Sequence, residues 1–167
     1  LRSERAPNGA GARMTGYTAG WDTAVARAGA AALTVLLDVS LTDSEVASIQ
    51  GSGAVVALAT LDDPRLTFAA LTLPVSTMVE ENGTYLNRDH RAQRYLQAKP
   101  APGMARPAWW VAADAWAAGG RDRTSLSSAA EALVSLGRDF PTLAGVTVAE
   151  LGFSGRVLDG AAAGSAR

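Results

Sequence analysis

Two apolar runs, ALTVLLDV at residues 32–39 and AVVALAT at 54–60, flank the stretch LTDSEVASIQGSG, and this arrangement restricts the fold more than any other feature of the chain. Each run is of strand length, rich in aliphatic residues and nearly free of charge, as a strand buried on both faces must be. Between them, Thr42 and Ser44 are candidate helix caps, Val46 and Ile49 stand three apart, and Gly51 and Gly53 mark an exit. Strand, short helix and strand joined by few residues predict a parallel βαβ unit with a right-handed crossover, and hence the α/β class. DDPRLTF then reads as a turn or a single helical turn, and FAALTLP as a third extended segment ended by Pro74, which cannot donate to a ladder.

The flanks are of mixed character. GWDTAVARAGA sets Trp21, Val25 and Ala28 on one helical face, with Asp22 placed to suit the helix dipole. Residues 1–20 mix Gly, Pro and charge without a period and read as a flexible N-terminal segment. Downstream, Asn82-Gly83 is a strong turn signal, and residues 84–96 read as a β-hairpin with Arg88, Asp89 and His90 at its tip. QAKPAPGMARP predicts an extended surface connector. Pro107 opens a helix in PAWWVAADAWAA that docks through Trp109, Ala113 and Trp116 and exits at Gly119-Gly120. A further helix is expected in SLSSAAEALVSLGRDF, where Ser128 and Glu131 have capping-box spacing and Leu133, Leu136 and Phe140 share a face. The α/β domain is thus expected over residues 21–152, with 153–167 as a disordered tail.

Composition removes several classes of function. A net charge of −1 and a pI of 5.8 leave no electrostatic footprint for nucleic acid or anionic lipid. The absence of cysteine excludes disulfides, thiolate catalysis and the usual iron-sulfur ligands within this chain, and the single His leaves zinc sites and Ser-His-Asp triads without material. The uncharged run at 46–61 is interrupted by Gln and Gly, starts and ends short of the ~20 apolar residues of a membrane helix, and is not a span. No secretory signal pattern follows the opening LRSERAPNG, which is expected to be an interior point of a longer protein.

The densest chemistry lies in LPVSTMVEENGTYLNRDHRAQRY at residues 73–95. Glu80 and Glu81 are adjacent, so an extended backbone points them to opposite sides, which argues against a facing acid/base pair. His90 reads as a turn residue accepting an unusual φ rather than a metal ligand or general base. Arg88, Arg91, Arg94, Lys99 and Arg106 outnumber Asp89 locally, a bias suited to a phosphate-bearing cofactor or, more simply, to carboxylates of a neighbouring domain. The tryptophans are read as core packing. The GSG at 51–53 precedes a strand, whereas a dinucleotide-binding loop follows one, so it is not a Rossmann fingerprint.

Residues 73–93 resemble a pattern found late in the large domain of the molybdopterin oxidoreductase superfamily, through Leu73, Pro74, Glu80, Gly83, Thr84, Asn87, Arg91 and Gln93. Pro102, Gly103, Ala105, Arg106, Pro107 and Trp109 resemble the segment that follows it, especially in the large iron-sulfur subunit of bacterial NADH-quinone oxidoreductase, the respiratory complex I. The chain departs from the pattern at Ala70, where Asp is usual, and at His90, where Gly or Arg is common. The resemblance implies a fragment of a molybdopterin-oxidoreductase-like α/β domain with a structural role and no catalytic residue of its own. Iron-sulfur clusters would lie in an absent N-terminal region. The implied partners are the rest of the same polypeptide and the peripheral-arm subunits of complex I, on the cytoplasmic side of the inner membrane. Asn87 and Thr84 are then expected to fix the hairpin by backbone hydrogen bonds, and Glu80 to pair with Arg91. The alternative implied is a fragment of a pterin-dependent molybdenum or tungsten oxidoreductase such as a formate dehydrogenase, with Glu80, Thr84, Asn87, Arg91 and Gln93 facing the molybdopterin. A free-standing interaction module is a third possibility. A sheet cut from a larger one would expose an apolar edge and leave the isolated chain marginal or aggregation-prone.

Overall fold

The structure, a computed structural model, describes residues 8–17, 20–120 and 126–158. In chain order the elements are α1 (Gly9–Met14), α2 (Trp21–Ala28), β1 (Leu33–Leu37), α3 (Asp43–Ile49), β2 (Ala54–Ala59) and β3 (Leu71–Pro74). They continue with β4 (Gly83–Leu86), β5 (Arg91–Tyr95), α4 (Ala108–Ala118), α5 (Ala129–Asp139), α6 (Val148–Leu151) and β6 (Arg156–Val157). Where one domain is expected over 21–152, the chain divides into two compact units. One is drawn from residues 20–77 and 100–120, the other from 8–17, 78–99 and 126–158.

The first of these units holds the parallel sheet, in the order β1-β2-β3. Leu33 stands opposite Ala54 and Leu37 opposite Leu58, while Val56 stands opposite Leu71 and Leu58 opposite Leu73. Helix α3 starts where the sequence predicts. The Thr42 hydroxyl accepts from the Glu45 amide at 3.3 Å, and the Glu45 carboxylate accepts from the Thr42 amide at 2.6 Å, a reciprocal capping box. Glu45 also accepts from the Trp21 indole, tying α2 to α3. The Thr42 amide first, then the indole and the Thr42 hydroxyl, hold the Glu45 carboxyl below its ordinary pKa. Leu36, Val55 and Ala57 of the sheet, Ile49 of α3 and Leu66 of the 3-10 turn Pro64–Leu66 form one buried cluster, with Val25 and Ala28 of α2 against it. Gly53 has a structural reason to be glycine: a Cβ there would stand 2.1 Å from the Ala32 carbonyl oxygen.

Proline at 107 caps rather than enters α4. Its docking is narrower than predicted, since Ala113 is buried and Trp109 half-buried, but Trp116 is 52% exposed.

The other unit pairs β4 with β5 as an antiparallel hairpin, Gly83 opposite Tyr95 and Leu86 opposite Ala92, turning at the predicted Arg88-Asp89-His90 tip; Asn82-Gly83, read as a turn signal, lies instead at the open end, with Gly83 opening β4. Two further expectations are corrected here. The N-terminal stretch is not wholly irregular, because residues 9–14 form α1 and bury Ala10 in a cluster that includes Leu86, Ala92, Leu133 and Leu151, with Met14 packed against that cluster. Tertiary contact overrides the poor helix propensity of GAGARM. Residues 153–158 are likewise ordered, with β6 pairing on β5 and Leu158 only 3% exposed. A two-residue strand on an existing edge needs no period of its own to form. Residues 1–7 and 159–167, the remaining parts of the segments read as flexible, and 18–19 lie outside the described residues. On α5, Ser128 caps Glu131 as predicted, but the Glu131 carboxylate binds the amide and hydroxyl of Ser127 instead of closing the box on Ser128.

Ile49 is 1% exposed at the centre of the sheet unit's core. Ile49→Ala is expected to lower stability by about 2–4 kcal/mol, read from the shift of the denaturant midpoint at unchanged slope.

Candidate functional site

The hairpin carries most of the residues singled out from sequence, and its geometry starts from Asn87. The side-chain oxygen of Asn87 accepts from the amides of Asp89 and Arg91, each at 2.9 Å, and its backbone oxygen accepts from His90 N at 3.0 Å. Four residues thus turn the chain, and the last of them, His90, takes φ of 59°. His90 therefore occupies a left-handed position that suits glycine, as expected of a turn histidine. Its carbonyl accepts from Leu158 N at 2.9 Å, so the tip also anchors the last described segment.

Strand alternation then separates the candidate ligands. Leu86 and Ala92 face the core, and Thr84 and Arg94 share their side of the ladder, whereas Arg91 and Gln93 face the opposite side. Glu80 precedes β4 and is 7% exposed. It pairs with Lys99 Nζ at 3.0 Å, not with Arg91 as expected. The guanidinium of Arg91 instead donates to the carbonyl oxygens of Ser154 and Gly155, at 3.2 and 3.4 Å. The expectation failed because the partner sits in the segment read as a tail, where no pattern pointed to an acceptor. Strand alternation thus sets Thr84 on one side of the ladder and Arg91 and Gln93 on the other.

The basic residues are each engaged locally. Arg88 lies 4.0 Å from Asp89, Arg94 stacks on Phe153 with its guanidinium carbon 4.5 Å from the ring centroid, and Lys99 holds Glu80. Arg106 belongs to the other unit, where it lies over Trp110 and donates to the Ala105 carbonyl at 2.8 Å.

Sequence reasoning missed the pairing of Tyr95 with Glu81. The Tyr95 hydroxyl donates to Glu81 Oε1 at 3.2 Å, and its ring packs on Tyr85 with centroids 4.7 Å apart. Burial foremost, with the Glu81 charge and neighbouring hydrogen bonds adding to it, pushes the Tyr95 phenol well above its usual pKa of 10.0. Its ring also lies where a Cβ on Gly83 would be, 2.1 Å from the hydroxyl oxygen. Counting back from the Arg88-Asp89-His90 tip places residue 95 opposite 83, a signal that was present in the sequence. The Asn82 side chain adds a clamp, accepting from Gln97 N at 2.9 Å.

In the sheet unit the carboxyl ends of β1 and β2 open on a cavity of about 170 Å³ lined by Asp38, Ser40, Thr60's neighbour Leu61, Asp62 and Asp63 among others. The crevice outside the carboxyl ends of parallel strands is where ligands of α/β sheets bind. Asp38 adopts φ of 47°, and its Oδ1 accepts from the amide of Thr60 at 3.0 Å and from the hydroxyl at 2.6 Å. Asp63 caps the 3-10 turn through the Arg65 amide at 2.9 Å, and Arg65 itself pairs with Asp43 at 3.4 Å. Sequence reading passed over this acidic rim. Among the described residues, no group of three or more His, Cys, Asp and Glu is arranged to hold a metal, and no helix is long and apolar enough to cross a membrane.

A three-stranded parallel sheet in one unit and an antiparallel three-stranded sheet in the other define the chain as a mixed α/β segment. The chain belongs to the molybdopterin oxidoreductase family, whose model matches residues 16–115. It is 32% identical over 88 residues to the F420-dependent formate dehydrogenase 2 subunit alpha of Methanococcus maripaludis, a match covering 52% of this chain and 13% of that protein. It is 41% identical over 44 residues to the Bacillus subtilis protein named "Putative formate dehydrogenase YrhE", covering 26% of this chain and 4% of the relative. The chain therefore spans only a small part of the relatives it matches.

Family membership implies a molybdopterin cofactor, a phosphate-bearing anion, and the residues present do not fit its phosphates. The crevice presents Asp38, Asp62 and Asp63, its nearby cation Arg65 is engaged by Asp43 and Asp63, and the GSG turn lies at the opposite end of β2. Of the hairpin's candidate residues, Glu80 is paired with Lys99, Asn87 holds the turn and Arg91 donates to the Ser154 and Gly155 carbonyls.

Two measurements check the hairpin assignments. Asn87→Ala should lower stability by about 1–3 kcal/mol through loss of both turn hydrogen bonds, whereas His90→Gly should raise it by about 1 kcal/mol by relieving the left-handed backbone, both read by denaturant unfolding. For Tyr95 the folded-state pKa lies above the unfolded one, so its contribution is fully present below pH 10 and is lost as pH rises further. A stability curve against pH should fall above pH 10, and Tyr95→Phe should flatten that fall.

Proposed function

We propose that this chain is a scaffold portion of the large subunit of a pterin-dependent molybdenum or tungsten oxidoreductase of the formate dehydrogenase kind. The observation carrying this reading is the 88-residue match to a formate dehydrogenase alpha subunit within a chain whose own family match spans residues 16–115. The geometry supports a scaffold role. Asn87, Arg91, Glu80 and Glu81 each hold another part of the hairpin unit, and the crevice of the parallel sheet carries carboxylates rather than phosphate ligands. The pterin and metal, which supply the redox chemistry when bound, are then held by parts of the polypeptide outside this chain.

A second reading is favoured by the same acidic crevice. A family domain that has lost cofactor binding and kept its fold would serve in the iron-sulfur subunit of an NADH-quinone oxidoreductase, docked against peripheral-arm subunits at the cytoplasmic face of the membrane. Its clusters would lie in other parts of the polypeptide, since this chain has no cysteine.

The two readings separate on the whole protein purified from its source. The first expects about one molybdenum or tungsten per polypeptide, a fluorescent pterin oxidation product and formate-dependent dye reduction. Absence of metal and pterin from a preparation that reduces quinone with NADH would overturn it in favour of the second. The scaffold role has its own check: Arg91→Ala should lower the melting temperature while leaving the metal content of the folded fraction unchanged.

A further inference from the structure

The two faces of the parallel sheet are treated differently. In-register pairing places Leu33, Val35 and Leu37 of β1 beside Val56 and Leu58 of β2 and Leu71 and Leu73 of β3, so that one whole face is aliphatic. On β1 that face is bare: Leu33, Val35 and Leu37 are 59%, 56% and 55% exposed, while Thr34 and Leu36 on the other side are 8% and 7% exposed. On β3, Leu71 is 47% exposed.

Handedness explains why nothing in this unit's connections covers β1. The strands run in the order β1-β2-β3, so both crossovers step in the same direction. Right-handed crossovers that step in one direction lie on one face. Ile49 of α3 and Leu66 of the 3-10 turn accordingly share the cluster of Leu36, Val55 and Ala57, and α2 joins them there through Val25 and Ala28. Over β2 the opposite face is already covered, with Leu58 7% exposed, so only its β1 part is bare, and a right-handed crossover stepping the other way, away from β1, would lay a helix there. The edge of β1 remote from β2 has no strand paired to it among the described residues, which is where such a unit would attach.

We propose that the Leu33-Val35-Leu37 face is the docking surface for an amphipathic α-helix of the same polypeptide, outside this chain, whose crossover adds a parallel strand to the free edge of β1. Three observations select this occupant. Parallel sheets bury both faces under helices. The face carries no charged or polar side chain to recognise a polar partner. The relatives have ample further length, since the chain covers 13% and 4% of the two described above. A second copy fits less well, because it would stack sheet on sheet, an arrangement that all-parallel sheets do not use.

The test places the photocrosslinking residue p-benzoylphenylalanine at position 35 in the whole protein and maps the adduct by mass spectrometry. The expected product migrates as a single polypeptide, with the bond falling in an amphipathic helical segment of that polypeptide outside residues 1–167. A product of doubled mass, an adduct to another subunit or to α4, or no adduct would overturn the proposal. As a milder perturbation, the double variant Val35→Thr, Leu37→Thr keeps strand propensity and should lower the melting temperature of the whole protein by several degrees. An unchanged melting temperature would mean that the face is solvent-exposed there too, and would count against the proposal.

Discussion

The pair of hydrogen bonds from the Asp89 and Arg91 amides to the Asn87 side chain fixes where the hairpin turns, and with it the register of everything attached. In a ladder whose side chains alternate with period two, a slip of one residue would send Leu86 and Ala92 to the solvent side. It would also part Gly83 from Tyr95, and the ring that now lies over the glycine would meet a side chain instead. The same register aims Arg91 at the Ser154 and Gly155 carbonyls and opens the β5 edge to β6. The positions of Asn87, His90 and Arg91 are therefore legible as one chain of consequences from a turn.

A different constraint governs the sheet unit. Short right-handed connections build a core on one face only, and that face is closed by small and aliphatic residues from α2, α3 and the 3-10 turn. The tight approach of Gly53 to Ala32 lets β2 begin close beside β1, which compact packing on that side requires. The expectation of an exposed apolar edge is met in a specific form: the bare surface is the β1 side of one face, flanked by a strand edge without a partner among the described residues. Such a surface is consistent with a chain spanning a small part of its relatives' length.

Local patterns carried the backbone well. The two aliphatic runs, the Thr42 cap and the polar Arg88-Asp89-His90 link each encode their element within a few residues, and β1, α3, β2 and the β4–β5 hairpin appear where those signals stand, whereas the Asn82-Gly83 step makes no turn. Long-range pairings were not encoded in this way. Nothing near Arg91 in sequence points to carbonyls some sixty positions away, and nothing in GAGARM announces a helix stabilised by contact with Leu86 and Leu133. The acidic crevice escaped notice for a related reason: Asp38 and Asp62 are far apart until the parallel register brings the ends of β1 and β2 side by side.

That crevice bears on how the fold and the cofactor chemistry of the family separate. An α/β sheet offers its ligand site at the carboxyl ends of its strands whether or not the loops there can bind anything. Here Asp38 bridges to Thr60 and Asp63 caps the turn after β2, so the carboxylates stabilise the loop ends in a geometry that leaves an anion facing like charge. A phosphate placed there would have to displace the Asp43 and Asp63 partners of Arg65 before gaining a cation. The shape of a ligand site and the charge that lines it are thus distinct properties of the chain, and in this crevice the lining carboxylates oppose an anion.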